Sequence, residues 1–135
     1  PVRLQVADLG RSLAFYEQVL GLRAARHDGA TAALAAADGR VLVELVERPG
    51  ARPVAPRGRL GLYHVAYLLP DRAALGRFVR HLGALGVRAG AGDHLVSEAF
   101  YLADPDGLGV EVYADRPREA WRRAGRELMM ATDPV

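Results

Sequence analysis

The chain contains two copies of one pattern, and this internal repeat limits its possible folds more than any other feature. Each copy opens with a short apolar segment and continues with an amphipathic stretch. That stretch ends at Leu20-Gly21 in the first copy and at Leu85-Gly86 in the second. A strand–helix–strands unit cannot cover its own apolar face, so we expect two units packed around a shared cleft. We expect the function to lie in that cleft.

The first copy is predicted to be a βαβββ module. Apolar and polar residues alternate over Val2–Ala7, which is typical of a half-buried strand. Asp8 can cap the helix that follows, and Gly21 can end it in a left-handed conformation. Turns at Asp28-Gly29 and Asp38-Gly39 then separate three further strands. Those strands are predicted at about 22–27, 31–36 and 41–47.

The second copy repeats this order. A strand is predicted at 61–69, and Asp71 is expected to cap a helix that runs to about Leu85. The segment Asp104-Pro105-Asp106-Gly107 has proline and glycine where a tight turn needs them. The remaining strands are predicted at 87–89, 97–103 and 109–114.

Each helix is predicted to bury one face. Residues three or four positions apart lie on the same side of a helix, so apolar residues at that spacing mark the inward face. The inward residues are predicted to be Leu9, Leu13, Tyr16 and Leu20 in the first helix, and Leu75, Phe78, Leu82 and Leu85 in the second.

These elements define one domain and a tail. Module 1 covers about 1–47, a linker covers 48–60 and module 2 covers about 61–115, followed by a C-terminal tail at 116–135. The linker has no periodicity and is rich in proline and arginine. The tail is predicted to form a short helix and to be anchored by Trp121. The predicted fold class is α+β, with a curled mixed sheet and helices on its outer face.

Composition excludes several classes of function. The chain has no cysteine, so it can form neither disulfides nor a thiolate metal site. All 18 basic residues are arginine, and lysine, isoleucine and asparagine are absent, which indicates codon bias. The net charge is only +2 and acidic residues are interspersed, so we expect no nucleic-acid partner. No apolar run reaches bilayer length and no signal pattern is present, so we expect a cytoplasmic protein with no membrane partner.

Two carboxylates stand within apolar strands at corresponding places in the two modules. Glu44 lies within Val41–Val46, and Glu111 lies within Gly109–Tyr113. A carboxylate in such a strand is costly unless it is paired or bound to a metal. Strand parity places Arg3 on the cleft side of the first strand, and by equivalence His64 takes that place in the second module.

Two motifs carry a resemblance to a known superfamily. They are Asp8-Leu9…Ser12-Leu13…Phe15-Tyr16…Leu20-Gly21 and Asp104-Pro105-Asp106-Gly107…Glu111. On these the chain is identified as a member of the vicinal oxygen chelate superfamily, which includes glyoxalase I, bleomycin- and fosfomycin-resistance proteins and extradiol dioxygenases. The segments 61–64, 92–99 and 113–118, with Trp121, resemble the N-terminal half of two-domain catechol 2,3-dioxygenases.

The resemblance implies a divalent metal in the cleft, bound by the first and last strand of each module. Carried onto this chain, those positions are Arg3, Glu44, His64 and Glu111. Arginine has no lone pair to offer, so the predicted ligands are His64, Glu111 and Glu44. One histidine and two carboxylates fall short of the two-histidine, one-carboxylate face of Fe(II) oxygenases. Fe²⁺ or Mn²⁺ is favoured, and Zn²⁺ and Ni²⁺ stay open.

Other side chains have competing interpretations. Arg3 can instead form an ion pair with Glu44 or Glu111 and satisfy the carboxylate without a metal. His94 is the candidate catalytic acid or base, and Glu98 is a weaker one. A solvated loop is the structural alternative for His94. The tyrosines at 63, 67, 101 and 113 are predicted to be packing residues, although Tyr101 or Tyr113 can also face the cleft.

Three functions follow from the resemblance. The first is extradiol ring cleavage of a catecholic substrate, with a small aromatic or anionic ligand in the cleft. The second is a non-catalytic N-terminal domain of a two-domain dioxygenase. The third is a metal-free binding protein of the bleomycin-resistance kind, in which Arg3, Arg52, Arg57 and Arg59 meet an anionic ligand.

A fourth function, a glyoxalase-type isomerase, needs four metal ligands, so Arg3 counts against it. A homodimer is expected in each case.

Overall fold

The computed structural model describes residues 1–52 and 61–135, and these divide into two compact units. Unit 1 comprises Pro1–Gly61 together with Asp104–Leu108. Unit 2 comprises Leu62–Ala103 together with Gly109–Val135. Most of the predicted linker, including Arg57 and Arg59, lies outside the described residues.

Unit 1 contains the predicted βαβββ module. Its elements are β1 Val2–Val6, α1 Leu9–Gln18, β2 Arg23–Asp28, β3 Thr31–Ala35 and β4 Val41–Glu47. The sheet has the order β1-β4-β3-β2, with β1 parallel to β4 and the other pairs antiparallel. Helix α1 packs against β2, β3 and β4. The α+β class with mixed sheets is confirmed.

Helix α1 begins and ends where the sequence predicts, but its buried face differs. The Asp8 side chain accepts a hydrogen bond from the backbone N–H of Arg11, and Gly21 has a φ of 72°. The buried residues are Leu9, Ser12 and Tyr16, whereas Leu13 and Leu20 are only partly buried. Ser12, which was not predicted to face inward, is buried, and Leu20 lies beyond the last residue of α1.

The segment Asp104–Leu108 of unit 1 hydrogen-bonds to helix α1. Asp106 accepts from the backbone N–H of Ala7 at 2.8 Å and pairs with the Arg11 guanidinium. Asp104 accepts from the Tyr16 hydroxyl at 3.1 Å, and its other oxygen accepts from the backbone N–H groups of Asp106 and Leu108 at 2.9 Å. The two motifs that carry the superfamily resemblance therefore bind each other. The aspartates of the second motif have a structural role here.

Unit 2 repeats the module and adds strands from the tail. Its elements are β5 His64–Leu68, α2 Arg72–Ala84, β6 Gly90–Asp93, β7 Ser97–Ala103, β8 Gly109–Asp115, β9 Arg123–Ala124, β10 Glu127–Leu128 and β11 Asp133–Pro134. The main sheet has the order β11-β6-β7-β8-β5, with β5 parallel to β8. β9 and β10 form a separate hairpin. Helix α2 packs against β8, whose buried face is Val110, Val112 and Ala114.

Three predictions for unit 2 were wrong in detail. The strand predicted at 87–89 is instead β6 at Gly90–Asp93, a glycine-rich segment that forms a strand because it pairs with β7 along its length. Strand β5 begins at His64, three residues later than predicted. Leu85 is 46% exposed, because α2 ends at Ala84 and leaves it beyond the packed turns.

The tail contains only one turn of helix. A 3₁₀ helix spans Arg118–Ala120, where a short helix was predicted. The Trp121 indole N–H donates to the carbonyl of Arg116 at 2.9 Å, and the Arg118 guanidinium lies 4.4 Å from the ring centroid. Both contacts lie within the start of the tail, so anchoring of the tail by Trp121 stays a prediction. Among the described residues, no helix has the length and apolar character needed to span a membrane.

Candidate functional site

The Glu111 carboxylate is the centre of a polar cluster in unit 2. Its Oε2 lies 3.0 Å from Nε2 of His64. Its Oε1 accepts a hydrogen bond from the Tyr101 hydroxyl at 3.2 Å and lies 3.8 Å from Nε2 of His94. Only 14% of the Glu111 side chain is exposed. Two imidazoles and a phenol thus surround one largely buried acid.

Strand register brings these side chains to one face of the sheet. Tyr101 lies directly opposite Glu111 in the antiparallel pair β7–β8. Ala66 lies opposite Glu111 in the parallel pair β5–β8, and His64 is two residues earlier on the same face. His64 therefore reaches Glu111 diagonally. The predicted equivalence of His64 with Arg3 was wrong, because the residue in register with Arg3 is Ala66.

Gly109 makes room for His64. It lies directly opposite His64 in the β5–β8 pair. A Cβ at position 109 would lie 2.8 Å from the carbonyl oxygen of Tyr63 and 2.9 Å from the Cβ of His64. A residue with a side chain would force the strands to shift, so glycine here permits the diagonal contact with Glu111.

His94 lies between β6 and β7, and its protonation on one nitrogen follows from its partners. Its Nδ1 lies 2.8 Å from the carbonyl oxygen of Ala131. A carbonyl can only accept, so Nδ1 carries a hydrogen. The other nitrogen, Nε2, is hydrogen-bonded to the Tyr101 hydroxyl. A neutral His94 therefore presents the lone pair of Nε2 to Tyr101.

Tyr101 stays neutral across the physiological range. Burial, followed by the adjacent Glu111 carboxylate, raises the pKa of Tyr101 to about 12. Burial, with Asp115 and Glu111, also raises the pKa of Tyr113. A protonated Tyr101 can donate its one hydroxyl hydrogen either to Nε2 of His94 or to Oε1 of Glu111. It can thus pass a proton between these groups.

His94 and Glu111 of the cluster line a cavity of about 690 Å³ within unit 2. This volume is within the range of ordinary small-molecule pockets. The wall includes polar groups from the cluster and its neighbours and apolar groups from β5 and the tail: Ala66, His94, Ser97, Glu111, Tyr113, Met130, Ala131 and Thr132.

The corresponding carboxylate of unit 1 has different neighbours. Arg3 lies directly opposite Glu44 in the β1–β4 pair. The ion pair described for Glu44, however, is with Arg26, whose Nη2 lies 3.8 Å from its Oε1. Arg3, Arg26 and Glu44 line a smaller cavity of about 290 Å³ within unit 1. Guanidinium groups attract anions but cannot accept a proton at neutral pH.

The described donors do not form a complete metal site. Among residues 1–52 and 61–135, no three His, Cys, Asp or Glu side chains are placed to hold a metal ion together. His64 and Glu111 supply two neighbouring donors. Nδ1 of His64 is buried without a hydrogen-bond partner in the described residues, whereas a metal-bound histidine ordinarily donates from its other nitrogen. The predicted third ligand, Glu44, belongs to unit 1, and the set of three stays a prediction.

Tyr101, predicted mainly as a packing residue, belongs to the polar cluster, whereas Glu98, an acid–base candidate from the sequence, does not. Tyr101 could have been found from the tight turn, because counting outward from it along β7 and β8 pairs residue 101 with residue 111. Glu98 instead pairs with Arg72 at 2.6 Å and with Arg116 at 3.1 Å. Glu98 is therefore occupied by two guanidinium groups.

Comparison with known proteins agrees with this architecture. The profile of the Glyoxalase/Bleomycin resistance protein/Dioxygenase superfamily matches residues 1–112. The chain therefore belongs to this superfamily. Within it, the chain is 48% identical over 121 residues to a catechol-2,3-dioxygenase of Bacillus subtilis (strain 168). The match covers 90% of this chain and 42% of that enzyme, so the chain spans less than half the length of its relative.

Solved structures give the same fold. A glyoxalase/dioxygenase from Nostoc punctiforme superposes with a TM-score of 0.73 at 23% identity, covering 86% of this chain and 89% of that one. A lactoylglutathione lyase from Agrobacterium tumefaciens superposes with a TM-score of 0.64 at 25% identity, covering 84% and 90%. These likenesses support the fold assignment.

Proposed function

We propose that this chain acts in extradiol ring cleavage as a catechol 2,3-dioxygenase-type domain, and that the cavity of unit 2 binds the catecholic ring. The observation that carries the proposal is the arrangement around Glu111, with His64 at one oxygen and the Tyr101–His94 pair at the other. The identity with a catechol-2,3-dioxygenase supports the same substrate class.

The chemistry assigned to these residues is proton transfer. A catechol must lose a proton from a hydroxyl before its ring becomes electron-rich enough to react. His94 accepts that proton at Nε2, because its Nδ1 already holds a hydrogen bonded to Ala131. Tyr101 relays it by donating to His94 as it accepts from the substrate. The resulting imidazolium keeps a partner at each nitrogen and can return the proton to the product.

The dioxygenase relative suggests a divalent metal, and we favour Fe²⁺ or Mn²⁺, with Zn²⁺ or Ni²⁺ as alternatives. Such an ion would chelate the two neighbouring substrate oxygens and lower their pKa values. His64 and Glu111 are two donors of the required kinds. Two donors are fewer than the three protein ligands of a two-histidine, one-carboxylate face.

Oxygen consumption with catechol tests the proposal. Protein purified anaerobically and supplied with Fe²⁺ or Mn²⁺ is expected to consume oxygen and form a ring-opened product. Glu111→Gln and His94→Ala should abolish most of this activity, whereas His27→Ala on the exposed strand β2 serves as the control. A protein that binds each metal but never opens catechol would contradict the proposal.

A second candidate is metal-free binding of a small aromatic or anionic ligand, as in bleomycin-resistance proteins. It is favoured by the lack of a three-donor metal group in the described part of the chain. Calorimetric titration of catechol in the presence of a chelator separates the two. Tight binding without turnover and without metal dependence selects this candidate. The non-catalytic-domain alternative is selected if neither binding nor turnover occurs.

The assembly proposed for either function is a cytoplasmic homodimer that binds neither nucleic acid nor membranes. Sedimentation measures the oligomeric state directly.

A further inference from the structure

We propose that Arg116 is a positioning residue that holds His94 in the orientation needed to accept a proton. The proposal rests on the proposed function, since it is that function which gives His94 its role. We define the His94 turn as residues Asp93–Ser97, which join β6 to β7. Arg116 itself lies outside the cavity and follows directly after β8.

Arg116 contacts the His94 turn from several sides. Its Nη2 lies 2.6 Å from Oδ2 of Asp93 and 3.1 Å from Oε1 of Glu98. Its backbone N–H donates to the carbonyl of Val96 at 2.8 Å. The guanidinium thus links Asp93, the residue before His94, to Glu98, the second residue of β7. The backbone N–H of Arg116 holds Val96, in the middle of the His94 turn.

The turn needs this support because its backbone is unusual. Leu95 has a φ of 67°, a left-handed conformation that few residues with a branched side chain adopt. Oδ1 of Asp93 accepts the N–H of Leu95 at 2.8 Å while Oδ2 binds Arg116. One carboxylate therefore connects the strained residue to the guanidinium. Release of Arg116 would leave Asp93 free to swing away.

The pairing is maintained at neutral pH. The hydrogen bond from Leu95, reinforced by Arg116, lowers the pKa of Asp93 from its ordinary value of 3.8. Burial alone would lower the pKa of Arg116, but its hydrogen bonds to Asp93 and Glu98 raise it instead. Asp93 and Arg116 are therefore both charged at neutral pH, and the ion pair between them is maintained.

Loss of the Arg116 contacts would affect the orientation of the His94 ring more than the shape of the cavity. The ring is held at Nδ1 by Ala131 and at Nε2 by Tyr101, and both contacts require the turn to stay in place. A loosened turn would let the ring rotate and exchange tautomers. The proton acceptor would then face Tyr101 for only part of the time. Ala66, Glu111 and Tyr113 of the cavity wall lie on β5 and β8, outside the turn, so we expect substrate binding to change less than turnover.

The experiment compares Arg116→Met with Arg72→Met as a matched control. Arg72 also binds Glu98, at 2.6 Å, but has no described contact with Asp93 or with residues 94–97. Nitrogen-15 NMR of the intact protein without substrate reads the tautomer of His94 directly. We expect a fixed Nδ1–H tautomer in the parent and in Arg72→Met, and averaged ring signals in Arg116→Met.

Turnover provides the second measurement. We expect kcat for catechol to fall by about tenfold to 100-fold in Arg116→Met with less than about a twofold change in KM, since small misplacements of catalytic groups carry penalties of this size. Arg116→Lys should recover only part of the loss, because an ammonium group does not reproduce the fork geometry of a guanidinium. The pH dependence of kcat should also change in Arg116→Met and not in Arg72→Met.

An unchanged His94 tautomer in Arg116→Met, or equal effects of the two substitutions, would overturn the proposal. If Arg116→Met fails to fold, Asp93→Asn replaces it, since the amide oxygen can still accept from Leu95 while the charge that binds Arg116 is lost. The NMR result is independent of catechol chemistry. A protein with the predicted tautomer change but no ring cleavage would refute the proposed function and leave the role of Arg116 intact.

Discussion

Each module has a carboxylate in its last strand, but among the described residues Glu44 has guanidinium neighbours, whereas Glu111 has neighbours that can move a proton. In unit 1 the residue opposite Glu44 is Arg3, and the described ion pair is the 3.8 Å contact with Arg26. In unit 2 the residue opposite Glu111 on β5 is the small Ala66, which leaves space for His64 to approach from two residues away. The same scaffold therefore supports two kinds of polar site.

The difference shows which changes a duplicated module tolerates. The helix caps and the parallel strand pair are the same in both units. The units diverge on the face of the sheet that carries the carboxylate: unit 1 has Arg3 and Ala33 beside Glu44, whereas unit 2 has Ala66 and Tyr101 beside Glu111. Substitution there changes the chemistry of the face without changing the pairing of the strands beneath it.

The largest expected effect comes from removing the two central carboxylates in turn. Glu111→Gln should lower catechol turnover by about 100- to 10,000-fold, the range typical of lost acid–base groups. The loss of turnover in Glu44→Gln should be smaller by a factor of about ten or more. The described partner of Glu44 is a guanidinium, which takes no part in proton transfer. Steady-state kinetics of both variants measures this. Equal losses of turnover in the two variants would contradict the proposed difference between the units and favour Glu44 as the predicted third metal ligand.

Unit 1 uses its buried acids for stability, which predicts the next largest effect. Asp104 is 6% exposed and accepts hydrogen bonds from the Tyr16 hydroxyl and from two backbone N–H groups. Asp104→Ala removes the shared acceptor of these three hydrogen bonds and should lower the free energy of unfolding by about 2–4 kcal/mol. Urea denaturation measures it, with Asp38→Ala in an exposed turn as the control. A loss below that of the control would show that the buried acid contributes nothing.

Gly109 tests the backbone geometry that allows His64 to reach Glu111 in unit 2. Gly109→Ala should lower the free energy of unfolding by about 1–3 kcal/mol, because the new methyl group meets the Tyr63 carbonyl and the His64 Cβ. It should also shift the NMR signals of the His64 ring. Gly90→Ala is the matched control on the same sheet, since its Cβ would lie 4.0 Å from the nearest atom outside its chain neighbours. Equal effects of the two substitutions would mean that Gly109 has no special relation to His64.

The parts of the molecule that the sequence predicts are those determined by local interactions. Alternation, a capping aspartate and a left-handed glycine each act within a few residues, and they predict β1, α1 and most of unit 2 correctly. Strand β6 escaped prediction because its glycines form a strand only through pairing with β7. The hydrogen bond from His94 to Ala131 joins residues 37 positions apart, so no local pattern could indicate it.

The smallest expected effect is the contribution of Tyr101 to the pH dependence of stability. Its direction follows from the raised pKa of Tyr101. The folded protein keeps this phenol protonated up to a pKa of about 12, whereas the unfolded chain releases the proton near 10.0. Between these values the folded state binds more protons, so the contribution to stability is present below pH 10 and is lost as the pH rises toward 12. Ultraviolet titration should show a late-ionising phenol that is missing in Tyr101→Phe. Tyr63→Phe, which removes an 86% exposed phenol, should leave that late step unchanged. If Tyr101→Phe instead removes a step near pH 10, the phenol is not held by burial and by Glu111, and its assignment as a neutral proton relay fails with it.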